Sequence, residues 1–200
     1  MRKIRYWLLN TFCKNELLEI HDRYSRKVKQ IEYDTKKQIE YDTNKKKQDI
    51  DIVHRILSEK NKVIVGEAYN KNGEHVFVVQ HIYGDSIDFM LYGSRYTAVC
   101  NHPRIMATYN NFYDDKPYIK IEDILVEDNN VGNGSILMTF FIEYCKRFTD
   151  AKKITGWLSP VDSGHFARST HFYEKHGFEV ELNEEGDSGG IEYQLREVRG

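Results

Sequence analysis

From Phe12 to about Lys60 the chain contains neither proline nor glycine. Those two residues are the strongest interrupters of a helix, and the stretch is filled instead with Lys, Glu, Gln, Leu and Ile, so one long helix is the expected outcome. Leu17, Tyr24 and Ile31 fall seven apart, as a helical seam requires, but the same register then delivers Gln38 and Lys45 before apolar residues return at Ile50, Ile52, Val53, Ile56 and Leu57. A seam with a polar middle reads as a long solvated helix or a weak coiled coil. Within it KQIEYDT occurs at 29–35 and again at 37–43. A period of eight turns each copy by roughly 80° on a helix, so the repeat preserves no single face. It reads as a local duplication in an exposed helix, with a tyrosine-punctuated arm for nucleic acid or a partner as the alternative.

Charge divides the chain at the same place. Residues 1–62 carry 16 Lys/Arg against 10 Asp/Glu, and residues 63–200 carry 13 against 21, so a basic part precedes an acidic one. The expected organisation is a basic helical arm over 1–62, a candidate coiled coil and a route to homo-oligomers, followed by a second domain over 63–200. Nucleic acid is disfavoured as a partner, because six net positive charges over sixty residues are dilute and the second part would repel it. Cys13, Cys100 and Cys145 are widely separated, which points to a reducing compartment and away from disulfides or a metal site. The N-terminal apolar patch around Trp7, Leu8, Leu9 and Phe12 is too short for a membrane span and lacks a signal-peptide cleavage pattern, leaving the cytoplasm as the expected location.

After Lys62 the texture becomes strand-like. KVIVGEAY, EHVFVVQHIY and SIDFMLYG read as successive strands, SRYTAVC as a further candidate, and NHPRI and NNFYDDKP as loops. Then follow a strand at 119–126, a glycine turn, a helix over 134–149, a strand at 154–160, a helix over 164–175, and strands at 177–182 and 190–198. This order is a mixed α/β domain.

The turn between the 119–126 strand and its helix reads Asn129-Asn130-Val131-Gly132-Asn133-Gly134-Ser135. A helix N-terminus offers unpaired N–H groups to an anion, and glycine lets a phosphate approach the backbone. The phosphate-binding P-loop pattern fails for want of a lysine after Gly134, and the dinucleotide fingerprint fails because Leu137 stands where its third glycine belongs. Forty residues on, FYEKHGF closes a helix before a strand. Together, in this order and spacing, the two motifs resemble the GCN5-related N-acetyltransferase (GNAT) superfamily over about residues 115–197.

The resemblance implies a GNAT-like mixed central sheet with flanking helices, acetyl-CoA as co-substrate and no metal. It implies that backbone groups around Ile124 and Val126 meet the acetyl group and pantetheine arm. The amides of Val131, Gly132, Asn133, Gly134 and Ser135 would hold the pyrophosphate, and Tyr173 would stand as general acid. For the base, strand alternation is expected to put Lys120, Glu122, Ile124 and Val126 on one face. Glu122 is the first candidate, with Asp162 and His165 in reserve. The competing readings are a solvated or paired carboxylate for Glu122 and core packing for Tyr173. Asn129 and Phe166 depart from the family pattern, and the two helices that usually follow its first strand are missing. The implied activity is acetyl transfer to a primary amine, on a small cationic molecule or a protein, by direct attack in a ternary complex. The alternative is a non-catalytic CoA-binding or interaction module whose helix mediates assembly.

Overall fold

The computed structural model describes residues 2–96, 102–110, 117–128 and 130–195. The side chains of Leu17, Asp162 and several others in the first helical turns lie outside that description, as do Asn129 and the stretch Thr97–Cys100 of the candidate strand SRYTAVC.

Helix α1 runs Arg2–Ser58, ten residues further toward the N-terminus than the sequence pattern marked. In each copy of the repeat the glutamine amide donates to the aspartate four residues on, Gln30 to Asp34 and Gln38 to Asp42. Bonds at this spacing support an exposed helix locally, so the duplication repeats a helix-stabilising pair rather than a face. By contact the chain forms two compact units, Met1–Gln48 and Asp49–Gly200.

In the second unit eight strands form one sheet: β1 (Lys62–Tyr69), β2 (His75–Tyr83), β3 (Ser86–Gly93), β4 (Arg104–Asn110), β5 (Tyr118–Leu125), β6 (Lys153–Leu158), β7 (Glu179–Leu182) and β8 (Gly189–Gln194). Their order is β1-β2-β3-β4-β5-β6-β8-β7. Only the β5–β6 pair is parallel, and it is bridged by α2 (Asn133–Phe148); α3 (Phe166–Lys175) connects β6 to β7 after a 3₁₀ turn at Pro160–His165. NHPRI, expected as a loop, instead opens β4 with Arg104 and Ile105, and Ser94–Tyr96 is not strand.

The sheet is packed on both faces. The apolar stripe of α2, with Leu137, Met138, Phe141, Ile142 and Cys145 at helical spacing, meets Val76, Val78, Phe89, Leu91, Ile105, Ile119 and Ile121. On the other face Ile52 and Ile56, from the last turns of α1, pack on Phe77, Val79, Met90 and Tyr92. This double coverage explains why β2 reads as a continuous apolar run rather than an alternation. Among the described residues no helix is long and apolar enough to cross a membrane.

Candidate active site

The glycine turn is built from both ends. Gly132 lies at φ +92°, a conformation that side chains rarely adopt, and immediately precedes α2. Its carbonyl accepts from Ile136 N, closing the first helical turn. Among the described residues the helix has no side-chain N-cap and no acidic residue in its first turn, so its leading amides find neither an intrahelical acceptor nor a capping oxygen there. Gly134 faces Phe172 of α3, where an added Cβ would lie 3.2 Å from the ring.

Asn133, between the two glycines, is fully buried and does not face solvent. Its amide donates to the Tyr96 hydroxyl, which in turn donates to Asp128, and its carbonyl accepts from Asn70. Burial first, and then the Asp128 carboxylate, push the Tyr96 phenol up to about 12. Asn70 holds the β1–β2 turn, accepting from the backbone of Asn72 and Glu74, and the adjacent Lys71 N donates to Val131 O. The hairpin is therefore tied to the glycine turn at two points, and the Lys71 side chain runs alongside Gly132. From the other side Lys175 and His176 both reach the Ser135 hydroxyl at 3.2 Å. Burial holds the His176 imidazole below its ordinary range, and the Lys175 ammonium adds to this. Sequence reasoning assigned Lys71 and His176 nothing; they come from segments about sixty residues before and forty after the turn.

Strands β5 and β6 then separate. Their parallel pairing ends at Ile121 and Gly156, while β5 continues beside β4 to Leu125. Backbone groups of Glu122–Leu125 that point away from β4 thus have no strand partner among the described residues, and unpaired strand edges take up external amides. The register of β4 against β5 steps from Ala107–Ile121 to Met106–Asp123, so Glu122 is an extra residue, a β-bulge. The bulge breaks the expected alternation: Ile124 packs against the same core as Ile119 and Ile121, and does not share a face with Lys120. Val126 is half-buried, beside Gly134.

The strand β5, the two-glycine turn, α2, β6 and α3 stand in the order read from the sequence. That order is the one the resemblance to GNAT sheets implies.

Tyr173 lies on α3 at 9% exposure, its ring edge-on to Phe172 and Phe178. Glu122 is exposed and paired with Lys120 at 2.7 Å. His165 is exposed at the end of the 3₁₀ turn, and Phe166 is buried in the core. The geometry thus gathers Val131–Ser135 with Lys71, Lys175 and His176. Among the described residues no group of His, Cys, Asp and Glu could hold a metal ion.

No family model matches the chain. A curated relative, the uncharacterized protein YocC of Bacillus subtilis (strain 168), is 37% identical over 75 residues, which span 38% of this chain and 44% of the relative's length. Among solved structures, the GNAT domain of S. lividans PAT superposes with a TM-score of 0.48 at 9% identity, over 65% of this chain and 96% of that one. Arabidopsis thaliana Naa50, in complex with a bisubstrate analogue, gives 0.41 at 15% identity over 54% and 72%. A GNAT-family acetyltransferase from Streptococcus pneumoniae gives 0.41 at 17% over 56% and 68%.

Proposed function

We propose that the chain transfers the acetyl group of acetyl-CoA to a primary amine by direct attack in a ternary complex. The observation that supports this best is the uncapped α2 N-terminus, ringed by Lys71, Lys175 and His176, beside the opening between β5 and β6. The amides of Val131, Gly132, Asn133, Gly134 and Ser135 suit a pyrophosphate. The free edge at Ile124 and Val126 suits the amides of the pantetheine arm.

In this reading the amine nitrogen attacks the thioester carbonyl carbon. Glu122 accepts the proton that the nitrogen loses, the carbon–sulfur bond breaks, and the Tyr173 hydroxyl protonates the departing thiolate. Acetamide and free CoA thiol result, with no covalent enzyme intermediate. The cytoplasm is the compartment this reading assigns. Release of CoA thiol from acetyl-CoA, followed colorimetrically across a panel of primary amines, tests it. Amine-dependent release is expected, and release no faster than without protein for every amine would remove the transferase.

A second reading makes the first unit an assembly arm. Tyr24, Val28 and Ile31 are all exposed on α1, apolar surface that a partner helix could cover. Self-association through it is compatible with either a catalytic or a purely CoA-binding second unit.

A further inference from the structure

From the geometry of the β6–β8–β7 end of the sheet we infer that Trp157, Gly190 and Glu181 form the slot that selects the amine acceptor, and that its occupant is a linear aliphatic diamine. This inference rests on the acetyltransferase reading above.

Three observations place the slot. Trp157 is the first residue of β6 beyond its last pairing with β5, so it stands where the two strands part. In the ladder Trp157 pairs with Gly190, and Gly190 pairs with Glu181, so the three positions form one row across the sheet with side chains on one face. That face is opposite α2, because the alternate residues Ile154, Leu158, Ile191 and Val180 enter the core with it.

The middle of the row is empty. A Cβ added at Gly190 would meet nothing within 4 Å, whereas one at Gly156 or Gly189 would collide with its neighbours. Strands lie about 4.8 Å apart, so Trp157 and Glu181 flank a gap of roughly 10 Å between their backbones, floored by bare glycine. The indole is 62% exposed, an unusual position for the most costly side chain to leave in water. No contact to Glu181 or Glu179 from a cationic side chain is found among the described residues, whereas the nearby Glu192 and Glu122 are neutralised by Lys153 and Lys120.

An aromatic face opposite an unpaired carboxylate recognises an organic cation, by cation–π attraction on one side and ion pairing on the other. Glu179 precedes Glu181 by two residues along β7, roughly 6.7 Å away, and extends the negative surface along the strand. A monoamine held in the slot by its ammonium has no second nitrogen left to be acetylated. A linear diamine holds its distal ammonium between Trp157 and Glu181 and extends its other nitrogen, as the free amine, toward the opening between β5 and β6. A neutral amine or an alcohol of the same length lacks the charge that the slot selects.

The chain has two tryptophans, so full-length protein carrying Trp7→Phe reports on Trp157 alone. Titration with diaminobutane should give a saturable fluorescence change and butanediol none, while butylamine should bind as a cation and inhibit transfer to diaminobutane. Glu181→Gln should weaken diaminobutane binding by about two- to fivefold. Gly190→Leu, which fits the open space, should abolish the response while leaving thermal stability and acetyl-CoA affinity unchanged. It should also raise KM for diaminobutane in the transfer assay. Equal responses to diamine and diol, or a Gly190→Leu protein that binds the diamine as the parent does, would overturn the slot. Acetyl-CoA binding measured on the same protein separates the two ideas. Bound acetyl-CoA with no diamine response removes the slot alone, and absent acetyl-CoA binding removes the transferase and with it the acceptor role.

Discussion

At the residue scale, burial and hydrogen bonding decide which side chains can be altered cleanly. Tyr173→Phe keeps the ring that packs between Phe172 and Phe178 and removes only the hydroxyl. If that hydroxyl protonates the thiolate, kcat should fall by about 10²- to 10⁴-fold with acetyl-CoA affinity unchanged. A variant with wild-type kcat would return Tyr173 to a packing role. Asn133→Ala should cost about 1–3 kcal/mol, because Tyr96 and Asn70 each lose a buried partner; chemical denaturation measures it. The histidines set the acid limit. His102 is held below its ordinary value by burial, with the Arg55 and Lys62 cations adding to this, and His176 by burial with Lys175. For both, the unfolded chain binds the proton more readily than the folded one. Their contribution is therefore complete above the ordinary histidine value of about 6.5 and is lost as pH falls through the depressed folded values. Melting temperature should decline on acidification from pH 7 toward 5. His102→Phe, which retains stacking on Tyr92, should flatten part of that decline.

At the scale of elements, what could be read in the sequence was what depends on near neighbours. Helix α1 follows from the missing proline and glycine, and α2 from its apolar spacing and the glycines before it. β4 was misread because His102 and Pro103 resemble a turn, yet both are buried, with the His102 ring hydrogen-bonded to Leu91 O beside the strand it introduces. The alternation along β5 was misread for a different reason. A bulge is a property of two strands in register, and residues 118–125 alone do not reveal that β4 supplies one residue fewer. The cationic side chains about the glycine turn were hidden for the same reason, since Lys71, Lys175 and His176 approach it from distant segments. Asn133 was counted for its amide alone, and only the fold shows that its side chain ties the turn to Tyr96 and the β1–β2 hairpin.

For the whole molecule, the two units make separate predictions. If the exposed apolar residues of α1 mediate self-association, sedimentation should show a mass above 23.7 kDa for the full chain. Tyr24→Glu combined with Ile31→Glu should return it to the monomer. A monomeric parent would end that reading without touching the second unit. The catalytic account depends on the second unit alone, and its central claim is that the α2 N-terminus holds the pyrophosphate of acetyl-CoA. Calorimetric titration with acetyl-CoA, on the parent and on Gly134→Asp with its fold checked by circular dichroism, tests this most directly. The added carboxylate sets like charge against the phosphates and crowds the turn. Micromolar binding by the parent, lost in a folded variant, is the predicted result. A well-folded parent that binds no acetyl-CoA, or a variant that binds it equally well, would contradict the account.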